Sequence, residues 1–108
     1  MIRTTGVRSQ NARIHGHCDD IAEQIGEPKA LVYAVICLEA AEESIIPFRT
    51  VLTRAVPEHE SSWDSKQAAD VLELIQKRVA MLAQQYRKPF YLHVYGRDGV
   101  AEKEWTRP

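Results

Sequence analysis

The long amphipathic segment that follows Asp64 constrains the fold most. It carries one apolar stripe at three- and four-residue spacing, made of Ala68, Val71, Leu72, Ile75, Val79, Leu82, Ala83 and Tyr86. Asp64 and Gln67 have the spacing of a capping box, so Asp64 or Ser65 caps the predicted helix. Arg87 and Lys88 fall in its last turn, where cations oppose the helix dipole favourably, and a proline follows. The apolar face of so long a helix must be buried, so the rest of the chain has to cover it.

A second amphipathic helix is predicted near the N-terminus. Its apolar stripe consists of Ile14, Cys18, Ile21, Ala22 and Ile25. Ser9 is suited to cap the start of this helix, and Gly26 is suited to stop it after Ile25.

The segment 28–43 has a less clear pattern, because residues 30–38 are continuously apolar. The β-branched residues Val32, Val35 and Ile36 would also suit a buried strand. The length of the segment and its alanine- and glutamate-rich end favour a helix, with Pro28 in the first turn. A helix that is apolar nearly all round must be buried in the core, or have half its surface in a dimer interface.

The remaining segments predict extended structure. Residues 48–56 are rich in threonine and valine and end at Pro57. Side chains of alternating character along residues 90–95 are followed by a glycine-containing turn and a second extended run. This pattern predicts a C-terminal β-hairpin over residues 90–106. A four-residue loop would place Tyr95 opposite Val100. The predicted fold is a single α+β domain over residues 1–108, with about three helices, a short extended segment and the C-terminal hairpin.

Composition excludes several functional classes. The 14 lysines and arginines nearly balance 15 aspartates and glutamates, so the molecule as a whole does not attract nucleic acid or anionic membranes. No apolar run approaches the length of about 20 residues that spans a bilayer. The N-terminus has no apolar signal core, and the two cysteines have no disulfide or CxxC pattern, which together predict a cytoplasmic protein with no membrane association.

No pattern of catalytic or metal-binding residues can be assembled from the spacing. His15, His17 and Cys18 lack the second pair of ligands that a structural zinc site needs, so we expect Cys18 in the core and the histidines at the surface. Cys37 lies in an apolar run that disfavours its thiolate. The sequence therefore predicts a binding protein that is not an enzyme and has no metal or cofactor.

Basic residues near the N-terminus form the best candidate binding site. Residues 1–8 are a basic arm, and an arm of this kind could capture phosphates or simply be solvated. The candidate nucleic-acid-binding residues are Arg3, Arg8, Gln10, Asn11 and Arg13, with further basic groups from Lys66, Lys77 and Arg78. Tyr91, His93 and Tyr95 would share one strand face, which could pack on a helix or stack unpaired bases.

Two short motifs carry a resemblance to a known family. Arg8-Ser9-Gln10-Asn11 opens the first helix, and the serine-rich segment 61–68 leads into the long helix. In this respect residues 8–88 resemble phage recombination mediators of the NinB type, also called Orf. The resemblance implies a dimeric α+β protein that binds single-stranded DNA and the host single-strand binding protein. It carries over to Arg8, Gln10, Asn11 and the segment 61–66.

Two functions are therefore predicted. The first is a phage-type DNA recombination or replication accessory protein that binds single-stranded DNA, the single-strand binding protein, or both, as a homodimer. The alternative is a protein-interaction module, such as a phage inhibitor of a host defence complex. Its expected partners are host defence proteins.

Overall fold

The computed structural model describes residues 7–96 and 98–108, and only the backbone of Val7 and Arg8. Three helices and two antiparallel hairpins pack into one domain, which confirms the predicted α+β class. The elements in chain order are α1 (Val7–Ile25), α2 (Lys29–Glu42), β1 (Phe48–Val51), β2 (Arg54–Pro57), a 3-10 turn (Glu60–Ser62), α3 (Ser65–Tyr86), β3 (Phe90–Tyr95) and β4 (Ala101–Thr106).

Helix α1 ends as predicted but begins earlier. Its C-terminal stop is Gly26, which has a φ of 73° and bonds back to the carbonyl of Ala22 at 2.9 Å. The prediction that Ser9 caps the start is wrong, because the helix already includes Val7 and Ser9 lies inside it. No helix-breaking residue separates Val7 from Ser9, so nothing in the sequence stops the helix there.

Helix α2 confirms the choice of helix over strand for residues 30–38. Pro28 was predicted to lie in the first turn of α2. It is the N-cap, one residue before that turn. One side of α2 is buried, including Val32 and Ile36, and the opposite side leaves Leu31 and Val35 about half exposed. The helix is therefore buried on one face and uncovered on the other, although both faces are apolar.

Residues 48–57 are extended, as predicted for 48–56, but they fold back as a hairpin and do not form one strand. β1 pairs with β2 around the two-residue turn Leu52-Thr53. Both turn residues have positive φ, 48° and 66°, as tight hairpin turns of this kind require. This turn normally uses asparagine or glycine, so the sequence gives no turn signal here.

Helix α3 has the predicted capping box. Asp64 accepts a bond from the amide of Gln67 at 2.8 Å, and the Gln67 side chain accepts one from the amide of Asp64 at 2.8 Å. The predicted stripe is buried except at its edges, where Leu72 is partly buried and Tyr86 is 44% exposed. Arg87 lies beyond the last turn, as a left-handed C-cap with a φ of 54°.

The C-terminal hairpin forms, but its register differs from the prediction by one residue. Tyr95 pairs with Ala101 and not with Val100, because Val100 belongs to the loop and its carbonyl accepts a bond from Gly96 at 3.1 Å. One face of the hairpin carries Phe90 and Leu92 into the core, at 0% and 2% exposure. Within the described residues, no helix is both long enough and apolar enough to cross a bilayer.

Candidate nucleic-acid interface

The hairpin of β3 and β4 presents a row of aromatic side chains on the side opposite the core. Tyr91, His93 and Tyr95 alternate along β3, and the pairing of Tyr91 with Trp105 adds a fourth ring to the same face. We call Tyr91, His93, Tyr95 and Trp105 the outer aromatic face. Tyr95 is 71% exposed and Trp105 is 54% exposed. Large aromatic rings with this much free surface are available to stack on a ligand.

A cation lies in the middle of the outer aromatic face. Lys103 pairs with His93, so it stands between the positions of Tyr95 and Trp105. Its ammonium group lies 4.4 Å from the centre of the Tyr91 ring, within the range of a cation–π contact. The face therefore combines two exposed rings with a positive charge between them.

Side chains from α1 hold β3 in place. The amide nitrogen of Tyr91 donates to the Gln24 side chain at 2.8 Å, and the Gln24 amide donates to the Tyr91 carbonyl at 2.8 Å. Asp20 accepts from the backbone N–H of His93 at 2.8 Å and from its ring at 2.7 Å. Because β4 covers the other edge of β3, both edges of this strand are bonded. The outer aromatic face is thus carried on a fixed strand.

Three of its four rings contact one another. The Tyr91 ring meets His93 and Trp105 edge to face, with ring centres 5.3 and 5.4 Å apart. The Tyr91 hydroxyl donates to Glu23 at 3.1 Å; burial raises the pKa of Tyr91, and this hydrogen bond adds to the rise. Tyr95 is in none of these ring contacts, and Trp105 remains 54% exposed despite its contact with Tyr91.

The structure brings two of the sequence-predicted segments together. The Gln10 side chain donates to the backbone carbonyl of Ser65 at 3.2 Å and accepts from its hydroxyl at 3.2 Å. Next to it, Lys66 is exposed but forms an ion pair with Asp70 at 2.9 Å, which raises the pKa of the lysine. Gln10 therefore joins α1 to the start of α3.

The other predicted basic residues are dispersed. Lys77 lies about 16 Å farther along α3 than Lys66, and Arg78 forms an ion pair with Glu39 of α2. Asn11 has a buried side-chain oxygen with no hydrogen-bond partner among the described residues. Arg13 is exposed and is in no ion pair with another described residue. Among the predicted basic residues that the structure describes, Arg13 and Lys77 form no ion pair with another described residue.

Most of the basic N-terminal arm lies outside the described residues. Arg3 and the rest of residues 1–6 lie outside the described residues, as does the side chain of Arg8. The predicted role of Arg3 and Arg8 in binding nucleic acid stays a prediction.

A second polar cluster lies where α1, α2 and the 3-10 turn meet. The His15 ring donates to the carboxylate of Glu60 at 2.8 Å and stacks on Tyr33 with ring centres 4.5 Å apart. Burial raises the pKa of the Cys18 thiol to about 12 and also raises the pKa of Cys37. Both thiols are buried in the core as predicted, and their raised pKa values disfavour the nucleophilic thiolate.

Two open clefts lie on the described surface. One of about 360 Å³ lies beside Ser44 and Phe48, and one of about 220 Å³ lies beside Glu73 and Lys77. Neither is lined by a histidine or a cysteine. Within residues 7–96 and 98–108, no three His, Cys, Asp or Glu side chains are grouped so that they could hold a metal ion.

His17 is buried at 6% exposure, so the prediction that it lies at the surface is wrong. It is on the α1 face that packs toward the C-terminal hairpin, where Asp20 and Glu104 are neighbours. Burial lowers the pKa of His17 below its ordinary value, and the attraction of Asp20 opposes this only in part.

The buried His17 makes folding stability depend on pH. Its pKa is lower in the folded state, so the unfolded chain takes up a proton first as the pH falls below about 6.5. The contribution is therefore present above that pH and is lost as the pH falls through the folded pKa. We expect the unfolding free energy of the wild type to fall more steeply than that of His17→Gln between about pH 7 and pH 5. Urea denaturation at several pH values measures this, and parallel curves would contradict it.

The sequence did not reveal three residues of the interface. The predicted register, with Tyr95 opposite Val100, places Trp105 opposite Phe90 on the core face. One more loop residue moves Trp105 to the outer face, because a shift of one residue reverses the direction of every side chain. Asp20 and Gln24 bond to a strand about 70 residues later, and no local pattern indicates such a contact.

Comparison with protein-family models, curated proteins and solved structures finds no match to this chain. The resemblance to phage recombination mediators therefore stays a prediction from short motifs.

Proposed function

We propose that this protein binds single-stranded nucleic acid, single-stranded DNA in particular, through the outer aromatic face of its C-terminal hairpin. One observation carries the proposal: Tyr95 and Trp105 expose 71% and 54% of their surface on the side of the hairpin that faces away from the core. Exposed aromatic rings stack on unpaired bases with little sequence preference.

The spacing on the hairpin suits a short stretch of an extended strand of nucleic acid. Trp105 is level with Tyr91, and Tyr91 lies four residues before Tyr95, so the two exposed rings are about 13 Å apart along the strands. A base can stack on each ring, and a phosphate between them would meet the ammonium group of Lys103. Paired bases do not expose their ring faces, so a duplex cannot use this site.

The proposal moves the principal contact from the N-terminal arm to the C-terminal hairpin. Gln10 and Arg78 bind other parts of the same molecule and Lys66 pairs with Asp70, so these three side chains are less available than the sequence suggested. Arg13 is exposed, and the basic arm can add phosphate contacts. The molecule acts by binding alone, so the proposal needs no catalytic step, metal or cofactor.

Binding can be tested by fluorescence anisotropy with a labelled thymidine oligonucleotide at low salt. We expect Tyr95→Ala and Trp105→Ala each to raise the Kd by about 5- to 150-fold, the equivalent of about 1–3 kcal/mol of stacking per base. The matched control is Met81→Ala, because Met81 is 57% exposed but lies on α3. Wild-type binding by both hairpin variants, or no binding by the wild type, would reject the proposal.

Tryptophan fluorescence reports on the same contact directly. The chain has two tryptophans, of which Trp63 is 4% exposed and Trp105 is 54% exposed. A stacked base should quench Trp105, and Trp105→Phe should remove the quenching. Arg13→Ala should lower the slope of log K against log salt by about one if Arg13 contacts a phosphate, whereas Tyr95→Ala should leave the slope unchanged.

The alternative function, a protein-interaction module directed at host defence proteins, is favoured by a different observation. Half of α2 is apolar and uncovered, with Leu31, Val35 and Leu38 each exposed by 45–49%. A partner protein would bury this face. Nucleic-acid binding explains the outer aromatic face but leaves the face of α2 without an occupant.

A further inference from the structure

An uncovered apolar surface lies on α2 and the hairpin of β1 and β2. Leu31, Val35 and Leu38 follow one another at four- and three-residue spacing along the outer side of α2. Strand β2 packs against α2, and its hairpin exposes Val51 by 48% and Leu52 by 89%. We call these five residues the α2–hairpin surface. Several large apolar side chains on adjoining elements mark an interaction site more often than an ordinary surface does.

The hairpin itself needs further support. Both of its strands belong to a two-stranded sheet, and β1 is exposed along its whole length. An isolated two-stranded hairpin is at best marginally stable in water. Its turn residues Leu52 and Thr53 also have positive φ without the glycine or asparagine that such turns favour. Contact with a second surface would supply the packing that the hairpin lacks in one molecule.

The charges around this surface are divided into two groups. Glu42 and Glu43 are exposed at the C-terminal end of α2, where the helix dipole is negative and the last turn has no basic residue. Neither is in an ion pair with a described residue, whereas Arg78 already binds Glu39. Glu43 lines the same cleft as Lys77 of α3 but forms no ion pair with it. Glu42 continues the exposed stripe of Leu31, Val35 and Leu38, so a cation from outside the molecule can reach it.

The hairpin carries the matching cations. Arg54 pairs with Val51 across the hairpin, and Arg49 lies two residues before Val51, so both arginines are on the face of Val51. Both are exposed, and neither forms an ion pair within the described chain. The surface thus has an acidic side on α2, a basic side on the hairpin, and apolar residues on both elements.

We propose that a second copy of this chain covers the α2–hairpin surface in a two-fold symmetric dimer. In such an interface each molecule contributes the same surface, so that surface has to be complementary to itself. Here Arg49 and Arg54 of one copy face Glu42 and Glu43 of the other, and Val51 and Leu52 pack on the α2 stripe. The glutamates argue against a membrane or a nucleic acid as the occupant, because both are anionic. The dimer does not depend on the nucleic-acid site, which lies on the other hairpin.

Analytical ultracentrifugation of the full chain tests the dimer. We expect a dimer at micromolar concentration for the wild type and a folded monomer for Val35→Glu, with folding checked by circular dichroism. The matched control is Met81→Glu, which places the same charge at a 57% exposed position of α3 and should leave the dimer intact. A monomeric wild type would overturn the proposal and assign the surface to a different protein. A dimeric Val35→Glu would also overturn it.

Exchange of charges tests the two-fold arrangement. One variant carries Arg49→Glu and Arg54→Glu, and the other carries Glu42→Lys and Glu43→Lys. In a homodimer of either variant, like charges face each other at both hairpin–α2 contacts. This repulsion should weaken the dimer by about 100-fold or more. Mixed together, the two variants have opposite charges at both contacts, so native mass spectrometry should detect a heterodimer. The recovery would also prove that both variants fold, and its absence would overturn the arrangement.

Discussion

Replacement of Asp20 by alanine is expected to lower the free energy of unfolding by about 2–4 kcal/mol. Asp20 is 6% exposed and accepts hydrogen bonds from both the backbone N–H and the ring of His93. Its loss leaves a strand amide without a partner and removes a carboxylate from the surroundings of His17. A small domain has about 5–15 kcal/mol in total, so this loss is a large fraction of its stability. Urea denaturation followed by circular dichroism measures the loss.

The neighbouring residue Asp19 provides a matched control. It has the same side chain, but it is exposed and its one ion pair, with Lys29, spans 3.5 Å at the surface. Asp19→Ala should change the unfolding free energy by less than about 1 kcal/mol. Asp20→Asn should fall between the two alanine variants, because the amide retains one acceptor and turns a donor toward His93. Equal losses for Asp19→Ala and Asp20→Ala would contradict the role of Asp20 in holding β3.

Replacement of Phe90 by alanine is expected to lower the free energy of unfolding by about 3–5 kcal/mol. Phe90 has no exposed surface, and the loss of its ring leaves a cavity between β3 and the helices. The cost combines the lost transfer free energy of the ring with the contacts that the cavity removes. Thermal and urea denaturation should both show the change.

Tyr95 lies on the same strand and supplies the contrast to Phe90. It is 71% exposed on the outer side, so Tyr95→Ala should keep the stability within about 1 kcal/mol of the wild type. The same substitution should weaken the binding of single-stranded DNA. Phe90→Ala would then affect stability, and Tyr95→Ala at the other end of β3 would affect binding. A strong loss of stability in Tyr95→Ala would mean that its ring supports the fold, which would contradict the proposed binding face.

The two proposed surfaces have different functions, which are dimerisation and the binding of nucleic acid. The α2–hairpin surface would join two copies, and each copy would bring one outer aromatic face to the assembly. Two linked sites on one strand raise the apparent affinity when both can be engaged at once. Variants of Val35 and Tyr95 separate the tasks, because the first should abolish the dimer and the second should abolish stacking.

Local patterns in the sequence predict the three helices. The stripe and capping box of α3, and the end of α1 at Gly26, depend on residues within about one or two turns of each other. The decision between helix and strand for residues 30–38 was also local, since it depended on length and on the residues that follow. These features were predicted because the physical interactions that produce them lie within a few residues of one another.

Contacts between distant parts of the chain determine which residues remain on the surface. The pairing of Arg78 with Glu39 joins residues 39 positions apart, and the contact of Gln10 with Ser65 spans 55. Such contacts decide which charged groups remain free, and no periodicity in the chain records them. No local pattern in the sequence predicts the turn at Leu52-Thr53 or the extra residue in the C-terminal loop. A shift of one residue in a strand reverses its faces, so only the packed structure could place Trp105 beside Tyr91 on the solvent side.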